Sequence, residues 1–278
     1  MLEYSHLKSW IWFLTWVVLI VAALYLRPLL PVDETRYVSV AWEMWLTENY
    51  LVPHLNGVPY SHKPPLLFWI INFGWKIFGI NEWWPRIIAP LFGLACLSLS
   101  SLICGRLWPR SQAYFIVPII LLGTFYWGIY TTLTMFDLII TFWTLVGIYG
   151  LIDIWSDHKY RGWMLFTFAI SFGVLTKGPV ILIYLLPSAL LAPYWILIKG
   201  NLNWITWYLL VLASVCTATT IALTWAIPAG IAGGEEYQSA IFWGQSAGRI
   251  VKSFAHREPF WWYLAIIPIL LMPWLLWP

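Results

Sequence analysis

The sequence predicts an all-α, polytopic membrane protein, with interfacial helices in its first long loop. Three observations predict it. Hydrophobic residues make up 61% of the chain and charged residues 10%, against roughly 45–50% and 25% in a soluble domain; mean hydropathy is +0.76. The apolar residues collect into about eight runs on the scale of the roughly 20 residues that cross hydrocarbon. Tryptophan contributes 23 of 278 residues, many near run ends, as in the aromatic belts at a membrane–water interface.

The runs fall at about 9–30, 84–105, 112–131, 135–154, 162–176, 178–198, 204–228 and 261–278. The first is too long for a signal-peptide core and has no small-residue cleavage site, so it is expected to stay as a helix. The fifth is short. "GRLWPRSQ", "SDHKYRG" and "KGNLN" read as tight connections, which leaves two longer segments, 31–83 and 229–260.

Within 31–83, Asp33 is expected to cap a helix from Glu34 to about Glu48. Its apolar positions Tyr37, Ala41, Met44 and Trp45 share one face, as in a helix lying at the interface. "NYLVPHLNGVPYSHKPP" then breaks the helix with turn signals. Leu66–Phe78 is apolar apart from Asn72 and Lys76, and at 1.5 Å per residue it spans only about 20 Å, so it reads as a second interfacial helix. Segment 229–260 opens on "GIAGGEEYQ" and ends on "GRIVKSFAHREP". The chain ends inside an apolar run, and residues 1–278 are expected to form one membrane-embedded domain, the N-terminal part of a longer protein.

Positive charge in short loops orients membrane proteins. Placing the N-terminus inside puts Lys8, Arg106, Arg110, Lys159, Arg161 and Lys199 on the inner side. Nearly every residue capable of chemistry then falls on the outer face. A net charge of +3 without a basic run gives no reason to expect nucleic acid. Cys96, Cys104 and Cys216 lie in apolar stretches and read as small core residues. There is no phosphate-binding loop, dinucleotide fingerprint or serine elbow, so nucleotide-driven chemistry is not expected.

Three stretches repeat one plan, a basic residue, then proline, then an apolar helix. They are His62-Lys63-Pro64-Pro65, Lys177-Gly178-Pro179 and His256-Arg257-Glu258-Pro259. Proline starts a helix well and holds the preceding residue extended. A cation there opposes the helix dipole, and a bound phosphate would resolve the conflict. The competing reading is that these side chains snorkel to lipid headgroups. Asp33 and Glu34, with Arg36 one turn on, form an acidic constellation suited to taking a proton from a hydroxyl. Asp137, in "TTLTMFDLIITFW", opens a spanning helix and is either a helix-start acid or a functional one. His62, His256 and Glu258 would suit zinc if the two long segments meet. Tyr60 and Arg249 are further phosphate-contact candidates, each also readable as an interfacial residue.

"VDETRYVSVAWEM", "YLVPHLNGVPYSHKPPLLFWI" and "FGINEWWPRIIAPLFGL", followed in order by "TLTMFDLIITFW", "GVLTKGPV" and "GQSAGRIVKSFAHREPFWWYL", resemble membrane glycosyltransferases of the ArnT/protein-mannosyltransferase type, which have the GT-C fold. The resemblance covers about residues 30–278. It implies inverting transfer of a sugar from a polyprenyl-phosphate carrier to lipid A, protein or another glycan at the outer face of a cell membrane, the bacterial inner membrane. It implies Asp33 at the reacting centre, Asp137 as a second cavity acid, and Arg36, Tyr60, Lys63, Arg249 and Lys177 around the carrier phosphate. Relatives resembling the aminoarabinose transferases carry Glu before Lys-Pro-Pro, where this chain has His62. An inactive remnant of such an enzyme and a transporter of a lipid-linked sugar are the other function classes to separate.

Overall fold

The computed structural model describes residues 2–155, 158–196, 203–244, 259 and 261–276. They form α1 (Leu2–Leu26), α2 (Asp33–Thr47), a two-stranded hairpin of β1 (His54–Leu55) and β2 (Val58–Pro59), α3 (Leu66–Phe78) and α4 (Trp83–Leu107). Then follow α5 (Ala113–Gly123), α6 (Phe125–Tyr130), α7 (Asp137–Trp155), α8 (Lys159–Lys177), α9 (Val180–Leu190), α10 (Ala192–Trp195), α11 (Trp204–Ser239) and α12 (Trp262–Leu270). The protein is an all-α polytopic membrane protein. Among the described residues, α4, α7 and α11 are long and apolar enough to cross a membrane by themselves.

Several predicted runs change shape. The run at 112–131 breaks at Thr124, whose side chain accepts the Trp127 amide at 3.3 Å and restarts the chain as α6. The run at 178–198 divides into α9 and α10. α8 is longer than expected because its polar first turn, Lys159 to Arg161, is helical too. α11 continues past 228 and kinks at Gly234, whose φ of 85° suits glycine.

α7 and α8 form the centre of the bundle, α4 packs on α7, and α11 packs on α8. Small residues permit the closest approach. A Cβ on Gly162 would stand 2.5 Å from the Gly150 carbonyl oxygen, and one on Gly150 would stand 2.8 Å from the Gly162 carbonyl. The contacts separate the bundle into two ends. Arg106 of α4 and Arg161 of α8 both reach Asp153 of α7, which is fully buried, at 3.3 and 2.5 Å. The Tyr149 ring lies near both guanidiniums, at 5.6 and 5.9 Å. The ends of α1 and α8 and the starts of α2, α4 and α7 gather at the opposite end.

There α2 and α3 pack on the bundle. Tyr37, Val40, Ala41 and Met44 of α2 and Phe68, Ile71 and Trp75 of α3 are buried in one cluster with Ile88, Phe136, Ile139 and Leu175. The apolar stripe of α2 was expected to face lipid, yet it meets protein. α3 keeps a second apolar face exposed, with Phe73, Ile77 and Phe78. Asn72 is buried and donates to the Ala41 and Phe68 carbonyls at 3.1 and 2.9 Å, tying α3 to α2, while Lys76 on the same face stays exposed. Between these helices, Asn56 and Gly57 take φ of 55° and 76° and close the hairpin. Glu43 of α2 accepts both of their amides.

Candidate functional site

The start of α2 departs from the sequence expectation. Asp33 is the first helical residue, not the cap. Val32 occupies the cap position at φ 76°, and no side chain caps the helix. A β-branched residue in that conformation is strained. The Asp33 carboxylate is therefore turned to another partner. It accepts from Arg36 one turn on and remains about half exposed, at 47%.

Its neighbour Glu34 is 1% exposed. Both of its oxygens accept from Arg27. Oε2 also accepts the Leu30 amide at 2.7 Å, and Oε1 the Thr134 amide at 2.6 Å. Burial raises the carboxyl pKa, but Arg27 and the two amides more than offset it and hold the group below its usual range. With four N–H donors on one carboxylate, its lone pairs are taken. The geometry makes Glu34 a tie between segments, in contrast to its expected place beside Asp33 at a reacting centre.

Phe136 is the aromatic hub of this end. It is 1% exposed and lies edge-on to Tyr37 at 4.9 Å and to Phe68 at 5.7 Å. Lys63 Nζ stands 6.0 Å from its centroid, which brings the Lys-Pro-Pro stretch beside the residue preceding Asp137. The Arg36 guanidinium carbon lies 5.3 Å from the Tyr37 ring centroid, and the charges of Asp33 and Asp137 both act on the Tyr37 phenol. Burial raises its phenol pKa, so it stays protonated at neutral pH. Burial works against the Arg36 charge, and the Asp33 carboxylate it pairs with offsets that effect. Tyr60 is buried, 5.2 Å from the His62 ring and 6.1 Å from Phe68.

The position of Lys177, though not its candidate role, differs from the helix entry that the sequence suggests. It is the last residue of α8, where a cation suits the helix dipole, and it donates to Asp137 Oδ1 at 2.8 Å. Asp137 opens α7, where an acid suits the dipole. The conflict expected at Lys-Gly-Pro is absent, because the protein supplies the anion. Gly178, at φ 77°, turns the chain into α9.

Two of the three basic-then-proline stretches do meet. Ser61, His62 and Pro64 line a cavity of about 120 Å³ together with Lys177, Gly178 and Pro179. α11 closes it with Ala222, Trp225 and Ala226, and Ile241 lies beyond the kink. Trp225 is fixed there by its indole N–H, which donates to the Leu51 carbonyl at 2.9 Å. The walls are apolar, with Lys177 and His62 at one side, a composition suited to an amphiphile carrying a negative group. The third stretch, with His256 and Glu258, and also Arg249, lie outside the described residues. Among the described residues no group of three His, Cys, Asp or Glu is placed to hold a metal.

Sequence reasoning missed Arg27, Tyr37, Arg86, Thr134, Phe136 and Trp225. Arg27 carries a signal, an arginine ending an apolar run before Pro28, though snorkelling explains it equally. The others were hidden in apolar patterning.

Residues 62–227 match the family model described as dolichyl-phosphate-mannose-protein mannosyltransferase. The undecaprenyl phosphate-alpha-4-amino-4-deoxy-L-arabinose arabinosyl transferase of Pseudomonas aeruginosa (strain UCBPP-PA14) is 30% identical over 278 residues, covering 94% of this chain and 48% of that protein. Arabinosyl transferase 2 of Pseudomonas fluorescens (strain Pf0-1) is 28% identical over 248 residues, covering 87% and 44%. The chain thus spans about half the length of these relatives. Its fold matches the crystal structure of ArnT from Cupriavidus metallidurans bound to undecaprenyl phosphate, with a TM-score of 0.79 and 21% identity, over 98% of this chain and 49% of that one. By the extent of the family match, the chain belongs to the dolichyl-phosphate-mannose-protein mannosyltransferase family.

Proposed function

We propose that this chain carries the catalytic half of a glycosyltransferase, which moves a sugar from a polyprenyl-phosphate carrier to an acceptor hydroxyl on lipid A, protein or another glycan. The relatives' names point to 4-amino-4-deoxy-L-arabinose on undecaprenyl phosphate as the donor. The observation that carries the reading is the pairing of acids with cations at one end of the bundle. Asp33 pairs with Arg36 and Asp137 with Lys177, next to Lys63 and a cavity with apolar walls.

The four paired side chains are 26% to 47% exposed. Ion pairs this open hold weakly, about 0–1 kcal/mol. A donor phosphodiester draws Arg36, Lys63 and Lys177 onto its oxygens and leaves Asp33 for the acceptor. The acceptor oxygen attacks the anomeric carbon from the side opposite the phosphate, and its proton passes to Asp33. The bond from the anomeric carbon to the phosphate oxygen breaks, and its electron pair leaves with the polyprenyl phosphate. The configuration inverts. The product monoester carries more negative charge than the donor diester, and the cations stabilise that charge as it develops. Asp137 holds Lys177 in place. His62, His256 and Glu258 are a candidate zinc set by residue type. The active end faces the outside, the periplasm of a bacterial inner membrane, where no nucleotide donor is at hand.

The test is transfer from a synthetic polyprenyl-phosphate-linked aminoarabinose in membranes containing this chain, read by mass spectrometry of lipid A and glycoproteins. Transfer that depends on Asp33 and Lys63 supports the reading. Failure both to transfer and to bind polyprenyl phosphate would sink it.

A further inference from the structure

The geometry points to Arg27 and Glu34 as positioning residues that lock the start of α2, bearing Asp33 and Arg36, to the start of α7, bearing Asp137; the inference rests on the reading of those residues as reacting groups. Neither residue meets the substrate. Four segments converge on the pair. Arg86, at the start of α4, donates from Nη2 to the Ala23 carbonyl at 2.9 Å and to the Arg27 carbonyl. These acceptors lie at and just past the end of α1; the Ala23 carbonyl also accepts the Arg27 amide at 3.3 Å, so Arg86 closes over the last turn. Arg86 thereby fixes the backbone from which Arg27 reaches out.

The Arg27 guanidinium then divides itself. Nη1 and Nη2 both donate to Glu34, and Nη2 also donates to the Thr132 carbonyl. Glu34 returns to the same turn by accepting the Thr134 amide, and Thr134 Oγ1 donates to the Pro85 carbonyl at 3.3 Å. The turn at 132–134 leads directly into Phe136 and Asp137. The side chain next to Asp33 and the turn before Asp137 are therefore held by one buried carboxylate and one arginine.

Strain supports this reading. Val32 at φ 76° lies between Arg27 and Asp33, and such a conformation persists only where its surroundings impose it. The Glu34 bond to the Leu30 amide spans Val32 and imposes it, while the bond to the Thr134 amide anchors Glu34 from the facing turn. Released, the α2 start would relax and carry Asp33 with it. A misplacement of about 1 Å is enough to lower a rate roughly 10²-fold.

The test uses the 278-residue chain in nanodiscs, as wild type, Glu34→Gln and Arg27→Lys. Gln puts an NH2 donor against the Arg27 and backbone donors. Lys keeps the charge but loses the fork, and it decides the matter should Glu34→Gln fail to fold. Hydrogen exchange is followed in peptides 27–36, 130–137 and 149–161. Both variants are expected to speed exchange in the first two peptides together by about tenfold or more and to leave 149–161, at the Asp153 end, unchanged. The rate kcat for sugar transfer falls about 10²-fold while KM for the lipid-phosphate donor stays within about threefold. Faster exchange in 27–36 alone, or in neither, overturns the inference. Paired exchange responses in a wild type that neither transfers sugar nor binds polyprenyl phosphate uphold the clasp and sink the glycosyltransferase reading.

Discussion

Lys177 Nζ donates to Asp137 Oδ1 at 2.8 Å and joins the last turn of α8 to the first turn of α7. Each charge sits at the helix end that favours it. The pair is about a quarter exposed on both sides, so removing it changes stability by less than about 1 kcal/mol. Its larger effect falls on the donor phosphate. Lys177→Met is expected to weaken polyprenyl phosphate binding about tenfold by removing one phosphate contact. A binding titration beside a thermal melt checks both parts. A large melting shift with unchanged binding would make the pair structural.

Asp33→Asn keeps the size and much of the hydrogen bonding of Asp33 but cannot take the acceptor proton. Transfer is expected to fall about 10²- to 10⁴-fold, with binding of polyprenyl phosphate retained. Lys63→Ala should show the complementary pattern, with weaker binding of the phosphate. Comparing the two variants in one membrane preparation separates the base from the phosphate contact. Equal loss of binding in both would remove the distinction.

The extent to which the site was legible follows from sequence distance. The span of α2 and the start of α3 are readable because acids, prolines and apolar periodicity are local signals, whereas the uncapped entry at Val32 is not. Asp33 and Lys63 stood out because charge is scarce in this chain. The partner of Glu34 in the turn before α7 is 100 residues away, and no local pattern announces such a bond. The same limit applies to Asp137 and Lys177, both noticed singly but 40 residues apart. Lys177 escapes the dipole conflict for a related reason. Gly178-Pro179 leads into α9, but Lys177 itself belongs to the end of α8. Apolar helices in this chain also present little amphipathic pattern, because lipid and protein interior are similarly oily.

Glu34 makes stability depend on pH in a defined direction. Its folded pKa is depressed, so its contribution is present above its unfolded pKa and is lost as pH falls through the lower, folded value. Cooperative unfolding in nanodiscs should therefore ease as the solution is acidified below about 4.5. Glu34→Gln should start less stable and lack this part of the slope. Parallel pH–stability curves for wild type and variant would assign the acid sensitivity to other carboxylates.

The α7–α8 contact offers a test of the frame that carries Asp137 and Lys177 at one end and Asp153 and Arg161 at the other. A methyl group at Gly162 would meet the Gly150 carbonyl oxygen at 2.5 Å and the Ile154 amide nitrogen at 2.8 Å. Both are backbone atoms and cannot swing aside as a side chain would, so the helices must separate. Gly162→Ala is expected to cost about 1–3 kcal/mol, the usual range for overpacking a well-filled contact. Because the crossing lies near the Asp153 end, separation there should weaken the Arg161–Asp153 bridge before it disturbs Lys177 and Asp137. Thermal melts read the first effect. Sugar transfer measured well below the melting temperature reads the second and should change by less than about threefold. A loss of transfer as deep as that of Asp33→Asn, at a temperature where the fold is intact, would show that the spacing of α7 and α8 is transmitted along their whole length to the site.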